Sequence, residues 1–147
     1  MIRLRNQIRG TLPASEIQKA YEKVFGKVGW WQRLFQGQPY QFADQYYQPV
    51  NETLIKLILD NDNTNLQHYV SEDFDCDDFT FRLMGIFSQN TETAAMPIFI
   101  IWLLLPDGQG HAMISYVTNN GIVKLIEPQN DQIFSVPKDW KLMLLVG

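Results

Sequence analysis

Three side chains that together could activate a nucleophile lie in separate stretches of the sequence. The only cysteine, Cys76, sits among acidic residues, His111 follows a glycine-rich turn, and Glu127 closes a run of alternating apolar residues. A thiol attacks as its thiolate, an imidazole can take its proton, and a carboxylate can hold the imidazole in place. These residue types therefore predict a nucleophilic site with Cys76, His111 and Glu127 as its catalytic residues.

The spacing of apolar residues after Cys76 predicts a helix that begins near the thiol, since apolar side chains recur there at intervals of three and four, at Phe79, Leu83, Ile86 and Phe87. A cysteine in the first turn of a helix lies near the positive end of the helix dipole, which favours the thiolate. An ordinary alternative stays open, because a lone cysteine is commonly a small buried apolar residue.

The segment Asn119-Asn120-Gly121 predicts a three-residue hairpin loop with its glycine in the left-handed conformation. Such a loop pairs Thr118 with Ile122. The register that follows makes His111 and Glu127 diagonal neighbours on one face of the sheet, so the carboxylate can orient the imidazole. A two-residue turn would instead put them on opposite faces.

The elements that would position these residues divide the sequence into two halves. The first half reads as helical, with one helix capped by Ser15 and a second from Asn51 to about Leu59. The second half changes to strand-like stretches at 97–105, 111–118, 122–127, 132–136 and 141–146.

This order of elements predicts an α+β fold in which N-terminal helices pack on a C-terminal antiparallel β-sheet. With 147 residues and 46% hydrophobic composition, the chain can bury a substantial core. We expect a single domain over residues 1–147, with a helical part at about 1–90 and a sheet part at about 96–147.

The composition also excludes several classes of protein. A single cysteine rules out an intramolecular disulfide and a zinc site made of thiolates. The longest apolar run, Ile98 to Leu105, is too short to span a bilayer, so no membrane partner is expected. The N-terminal residues Met1 to Arg5 are not followed by an apolar stretch, so no signal peptide is visible and a cytoplasmic location is expected.

The charge is unevenly distributed. Residues 1–42 carry seven basic and two acidic side chains, whereas residues 43–147 carry five and fourteen. The bases are scattered along a helical stretch, as on a solvated helix face, so we expect no nucleic-acid partner. The acids crowd the cysteine, at Asp73, Asp75, Asp77 and Asp78, and would oppose a thiolate by repulsion. A bound Ca²⁺ ion would neutralise them, so we expect calcium to switch the site on.

A second acidic segment begins like the calcium loop of an EF-hand, with Asp60, Asp62 and Thr64 at alternate positions. Asn65 stands where that loop requires glycine, and Ser71 stands where it requires glutamate. The segment is therefore interpreted as a turn.

Taken together, the segments 69–79, 110–112 and 126–130 resemble the papain-like C-terminal domain (agglutinin C domain) of the Marasmius oreades agglutinin and its bacterial and phage relatives. The resemblance implies a papain-like cysteine-protease fold and a triad of the three catalytic residues named above. It also implies calcium-dependent activation and a location that is cytoplasmic or associated with a phage or virion. The metal ligands that it implies are Asp77, Asp78, Gln129 and Asn130.

The leading functional hypothesis is a calcium-assisted cysteine peptidase or amide hydrolase, a thiol protease that acts on a peptide or protein substrate. One alternative is a transglutaminase-like acyl transferase, which uses the same three groups. The other is a non-catalytic calcium-binding or assembly module on the same fold. Nothing in the sequence resembles the sugar-binding trefoil of the agglutinin, so lectin activity is not expected, and the oligomeric state is left open.

Overall fold

A computed structural model describes residues 10–147 of the chain, so the expectation about a leader at Met1 to Arg5 lies outside the described residues. The helices are α1 (Ala14–Phe25), α2 (Trp30–Gln36), α3 (Glu52–Asn61) and α4 (Cys76–Gln89), with short 3₁₀ turns at Thr64–Leu66 and Thr93–Ala95. The strands are β1 (Leu12–Pro13), β2 (Tyr40–Gln41), β3 (Tyr46–Tyr47), β4 (Ile98–Leu104), β5 (Gly110–Val117), β6 (Val123–Glu127), β7 (Gln132–Ser135) and β8 (Lys141–Val146).

The main sheet has six strands in the order β2-β8-β4-β5-β6-β7, and β1 pairs separately with β3. Neighbouring strands run antiparallel except for β2 and β8, which are parallel. The predicted helical first half on an antiparallel sheet is therefore wrong, and the sheet is mixed. A short strand from the first half adds to the sheet edge beside β8, a pairing over about a hundred residues that local patterns do not reveal.

Both faces of the sheet are buried, each by a different set of helices. The first core cluster packs α1 against one face, with Tyr21 touching the ring of Phe99 edge-on at 6.0 Å. The second core cluster packs α3 and α4 against the other face, with Leu83 among the buried members of α4. Strand residues alternate between the clusters, so Met113 belongs to the first and Ile114 to the second.

The helix boundaries follow the sequence signals unevenly. Helix α1 begins at Ala14 after Pro13, without a side-chain cap, so the predicted cap at Ser15 is wrong. Helix α3 is capped by Asn51, whose side chain accepts a hydrogen bond from the backbone N–H of Leu54 at 3.1 Å.

Among residues 10–147, no helix has the length and apolar character needed to cross a membrane.

Candidate functional site

Cys76 is the first residue of α4, as the sequence predicts. The helix start is held by a capping box, in which Asp75 accepts from the N–H of Asp77 at 3.4 Å and Asp78 accepts from the N–H of Asp75 at 3.2 Å. The thiol is half-buried. It therefore lies at the positive end of a 14-residue helix.

The predicted register of the β5–β6 hairpin is confirmed. The ladder pairs Ile114 with Ile126, and the N–H of Thr118 donates to the carbonyl of Ile122 at 2.9 Å. Gly121 has a φ of 74°, a left-handed conformation that glycine adopts without steric cost. The three-residue loop inferred from the sequence therefore sets which residues of the two strands share a face.

This register brings His111 and Glu127 together. The Nε2 atom of His111 lies 2.7 Å from Oε2 of Glu127, and the two side chains are 18% and 15% exposed. The other carboxylate oxygen of Glu127 accepts from the backbone N–H of Gln129 at 3.2 Å. Both oxygens of the glutamate are engaged, so its orientation and that of the imidazole are fixed.

The first turn of α4 lies at the same end of the sheet as this pair. The ring of Phe81 contacts that of Trp102 at 5.9 Å, and Trp102 is paired with Ala112, the neighbour of His111. Cys76 precedes Phe81 by five residues, about 7.5 Å along a helix axis. The thiol is thus about one and a half helical turns from a side chain that contacts the sheet beside His111.

The structure does not join the thiol to the imidazole directly. No hydrogen bond links Cys76 to His111 in the part of the chain that the structure describes. His111 is paired with Leu103, a member of the first core cluster, whereas α4 packs on the second. Thiol and imidazole thus come from opposite sides of the sheet and can meet only past the end of β5.

The acidic residues at the helix start also lie close to one another. A metal-ligating atom from each of three residues, Asp75, Cys76 and Asp77, lies within 4.8 Å of the other two. Among residues 10–147 this is the one cluster of three or more histidine, cysteine or acidic side chains that is close enough to hold a metal ion. A hydrogen bond with Asp75 raises the pKa of the Asp77 carboxyl, helped by burial and the negative charges of Asp75 and Asp78. These carboxylates therefore repel one another when all are ionised.

The metal ligands implied by the resemblance occupy two separate turns. Asp77 and Asp78 belong to the first turn of α4, and Gln129 and Asn130 to the turn after β6. Gln129 donates its backbone N–H to Glu127, and Oδ1 of Asn130 accepts from the N–H of Gln132 at 3.0 Å. A cation between the two turns would thus bind next to the ion pair.

Solved structures of a fungal lectin share this fold. A structure described as the "PSL1a-E64 complex" matches with a TM-score of 0.75 and 17% identity, covering 94% of this chain and 51% of the other. A Polyporus squamosus lectin bound to the epitope Neu5Aca2-6Galb1-4GlcNAc matches with a TM-score of 0.73, also at 17% identity, covering 94% and 50%. The chain therefore spans about half the length of these lectin chains. No family model matches, and no curated protein matches.

These findings correct the family expectation. The solved structures returned are lectin chains, so the resemblance to the papain-like agglutinin C domain, and the papain-like protease fold with it, are overturned. The hypothesis of a calcium-assisted cysteine peptidase, with its acyl-transferase alternative, is overturned with the resemblance, because the fold is shared with lectin chains. A peptide substrate also lacks support, since the neighbours are described with a glycan and with E64.

Two features of the site were not found from the sequence. The N-cap of α4 is Asp75, which no sequence signal distinguished from the acids around it. The turn after β6 also brings Asp131 against Asn65, whose side-chain amide donates to its carboxylate. The segment that begins like an EF-hand loop contains Asn65, but nothing in its sequence indicates a contact with Asp131.

Proposed function

We propose that this chain is a ligand-binding module whose ligand site lies at the end of the sheet that holds Cys76, His111 and Glu127. The observation that carries the proposal is the 2.7 Å hydrogen bond between Nε2 of His111 and Oε2 of Glu127, most of which is withdrawn from water. Ionisable groups that are held close together beside the start of a helix are common in ligand-binding sites.

In this proposal Cys76 forms a covalent bond with an electrophilic ligand. The imidazole of His111 takes the thiol proton, and Glu127 stabilises the imidazolium by accepting its Nε2–H. The thiolate sulfur then donates an electron pair to an electrophilic carbon and forms an S–C bond. The electron pair of the bond that breaks moves to the departing atom, which receives the proton back from His111.

E64 is the first ligand to test, because a structural neighbour is described as its complex. The protein is incubated with E64 and its intact mass is measured under denaturing conditions. We expect a mass increase of one E64 molecule in the unaltered chain and none in Cys76→Ser. His111→Ala should slow the modification by about a hundredfold, the usual contribution of a positioned base.

Modification of the Cys76→Ser variant at the same rate would contradict the proposal, since the bond would then form elsewhere. Complete inertness of the unaltered chain toward both E64 and iodoacetamide would also contradict it. His68→Ala is the matched control, because it removes the other histidine and should leave the rate unchanged.

We also propose that Ca²⁺ binds beside this site, with Asp77, Asp78, Gln129 and Asn130 as its ligands. The repulsion among the carboxylates at the start of α4 supports a cation there. Carboxylate and amide oxygens are the ligands that Ca²⁺ prefers. By neutralising the acids around the thiol, the ion would restore the preference for thiolate.

The calcium proposal predicts that E64 modification depends on calcium. The rate is measured with added CaCl₂ and with excess chelator, in the unaltered chain and in the double variant Asp77→Asn, Asp78→Asn. We expect faster modification with calcium in the unaltered chain, and a calcium-independent rate in the variant. Equal rates in calcium and in chelator for the unaltered chain would disprove the calcium role while leaving the thiol site intact.

Carbohydrate binding is a second candidate function, supported by the lectin structure described with a sialylated trisaccharide. This chain offers an aromatic surface suited to a flat ligand, because Trp30 and Trp31 stack at 3.9 Å and are 64% and 59% exposed. Calorimetric titration with Neu5Aca2-6Galb1-4GlcNAc tests it. Binding that is lost in Trp30→Ala, Trp31→Ala would support this candidate, and absence of heat in the unaltered chain would exclude it for this glycan.

A further inference from the structure

Buried oxygen atoms without a hydrogen-bond partner concentrate in one corner of the molecule. Within residues 10–147 four buried side-chain polar atoms lack a partner, and three of them are Oγ1 of Thr64, Oδ1 of Asn65 and Oδ1 of Asp131. The fourth belongs to Tyr40, on α1's side of the sheet. A buried polar atom without a partner is costly, so its presence in a native fold points to an unseen water or ion.

These three residues, with Asp62, are linked into one group that we name the acidic corner. The N–H of Thr64 donates to Oδ2 of Asp62 at 3.0 Å, and the side-chain amide of Asn65 donates to Oδ2 of Asp131. Thr64 is completely buried. The segment dismissed as a failed EF-hand loop is thus folded against a residue 66 positions later in the sequence.

The acidic corner has excess negative charge. Asp131 lies near Asp62 and Asp60, whose negative charges act on its carboxyl group. Arg82 lines the same surface hollow as Asp62, but among residues 10–147 no ion pair joins a basic side chain to any of these three acids. The carboxylates therefore face one another without a compensating cation.

The backbone holds Asp131 in this position at some conformational cost. Its φ is 59°, in the left-handed region that few residues other than glycine, asparagine and aspartate adopt. Its N–H donates to the carbonyl of Glu127 at 2.8 Å, which closes the turn after β6. The turn thus directs the carboxylate toward Asn65 even though no charged partner is there.

We propose that the acidic corner is a calcium site, formed by side-chain oxygens of Asp62, Thr64, Asn65 and Asp131. All of these atoms are oxygens, which are the ligands of hard cations, and none is a nitrogen or sulfur that would favour zinc. Water could satisfy the orphan oxygens but would leave the carboxylate repulsion in place. Four protein oxygens, completed by water, suit the six to eight ligands of Ca²⁺ better than the strict octahedron of Mg²⁺.

This site is separate from the one proposed beside Cys76, so the experiment removes that one first. The double variant Asp77→Asn, Asp78→Asn is titrated with CaCl₂ by calorimetry, and then again with Asp131→Asn added. Asparagine keeps the shape and tolerates the left-handed backbone. We expect calcium binding to persist in the double variant and to weaken at least about tenfold in the triple variant, as a lost charged ligand should cause. MgCl₂ should produce a weaker response in both.

Calcium binding that is unchanged by Asp131→Asn would overturn the proposal, as would a double variant that binds no calcium. If Asp131→Asn prevents folding, Asp62→Asn replaces it, with the same expectation. Thermal unfolding gives a second readout, since a ligand that binds the folded state raises the midpoint. We expect CaCl₂ at about 5 mM to raise the midpoint of the double variant, and to raise that of the triple variant by less.

Discussion

Glu127 and Asp131 are carboxylates at the two ends of one turn, and only the first has an imidazole partner. Glu127 ends β6 and pairs with His111 at 2.7 Å, while Asp131 faces Asp62 and Asp60. The difference arises from where each partner lies. The register of the β5–β6 hairpin places the imidazole of His111 beside Glu127. The neighbours of Asp131, in contrast, are the negatively charged Asp60 and Asp62, from a segment distant in sequence. Similar residues in one turn thus differ in whether a side chain that can carry positive charge lies beside them.

The largest effect should come from breaking the register that forms the ion pair. Deleting Asn120 shortens the hairpin loop and shifts β6 by one residue, which would turn Val123 and Leu125 away from the first core cluster. Each buried side chain of this size contributes about 1.5–3 kcal/mol. We expect the cooperative thermal transition, followed by circular dichroism, to be lost. Asn120→Asp keeps the loop length and should unfold as the unaltered chain does.

A smaller effect should follow from removing the ion pair itself. Glu127→Ala leaves His111 partly buried without its acceptor, and a hydrogen bond to a charged group is worth about 1.5–3 kcal/mol. Urea unfolding should show a loss of that size in the free energy of unfolding. Glu127→Gln retains an acceptor oxygen and should lose less. Equal losses in the two variants would indicate that the charge on Glu127 contributes nothing.

The loop conformation can be tested more gently at Gly121. Gly121→Ala places a Cβ on a residue with a φ of 74°, which should cost about 1–2 kcal/mol in the free energy of unfolding. Gly110→Ala is the matched control, because its backbone is not left-handed and an added Cβ meets no atom within 4 Å. A difference between the variants in urea unfolding isolates the backbone requirement of the turn.

The smallest effect concerns Asp131, the carboxylate that has no basic partner among residues 10–147. The pKa of Asp131 is raised from 3.8 to about 6, so the folded state binds its proton more tightly than the unfolded state. Its unfavourable contribution is absent below about pH 4 and develops as pH rises through 6. In chelator, Asp131→Asn should therefore be more stable than the unaltered chain at pH 8, by less than about 1 kcal/mol because solvent screens the charge. The two should unfold alike at pH 3.5, and an advantage already present there would contradict this account.

Local sequence signals predicted the part of the site that depends on local geometry. The register of β5 and β6 follows from Asn119-Asn120-Gly121, because a turn fixes the pairing of the strands it joins. The start of α4 at Cys76 follows from apolar spacing and acids suited to a helix N-terminus. Both predictions needed only residues that are near one another in the sequence.

Features formed by residues that are distant in the sequence could not be predicted from it. The parallel pairing of β2 with β8 and the contact between Asn65 and Asp131 each join segments that carry no mutual signal. The family expectation failed for a related reason. Short motifs around Cys76, His111 and Glu127 resemble those of a papain-like domain. The fold as a whole instead matches the structures of lectin chains.

The position of β8 inside the sheet has a consequence for biosynthesis. This strand lies between β2 and β4, so a nascent chain that has not yet released Lys141–Val146 from the ribosome lacks the strand that joins β2 to the rest of the sheet. The edges of β2 and β4 would then be unpaired and prone to bind other extended polypeptides. Folding of this protein should accordingly be completed only after translation of β8, and chaperones that shield open strands should matter most during that interval.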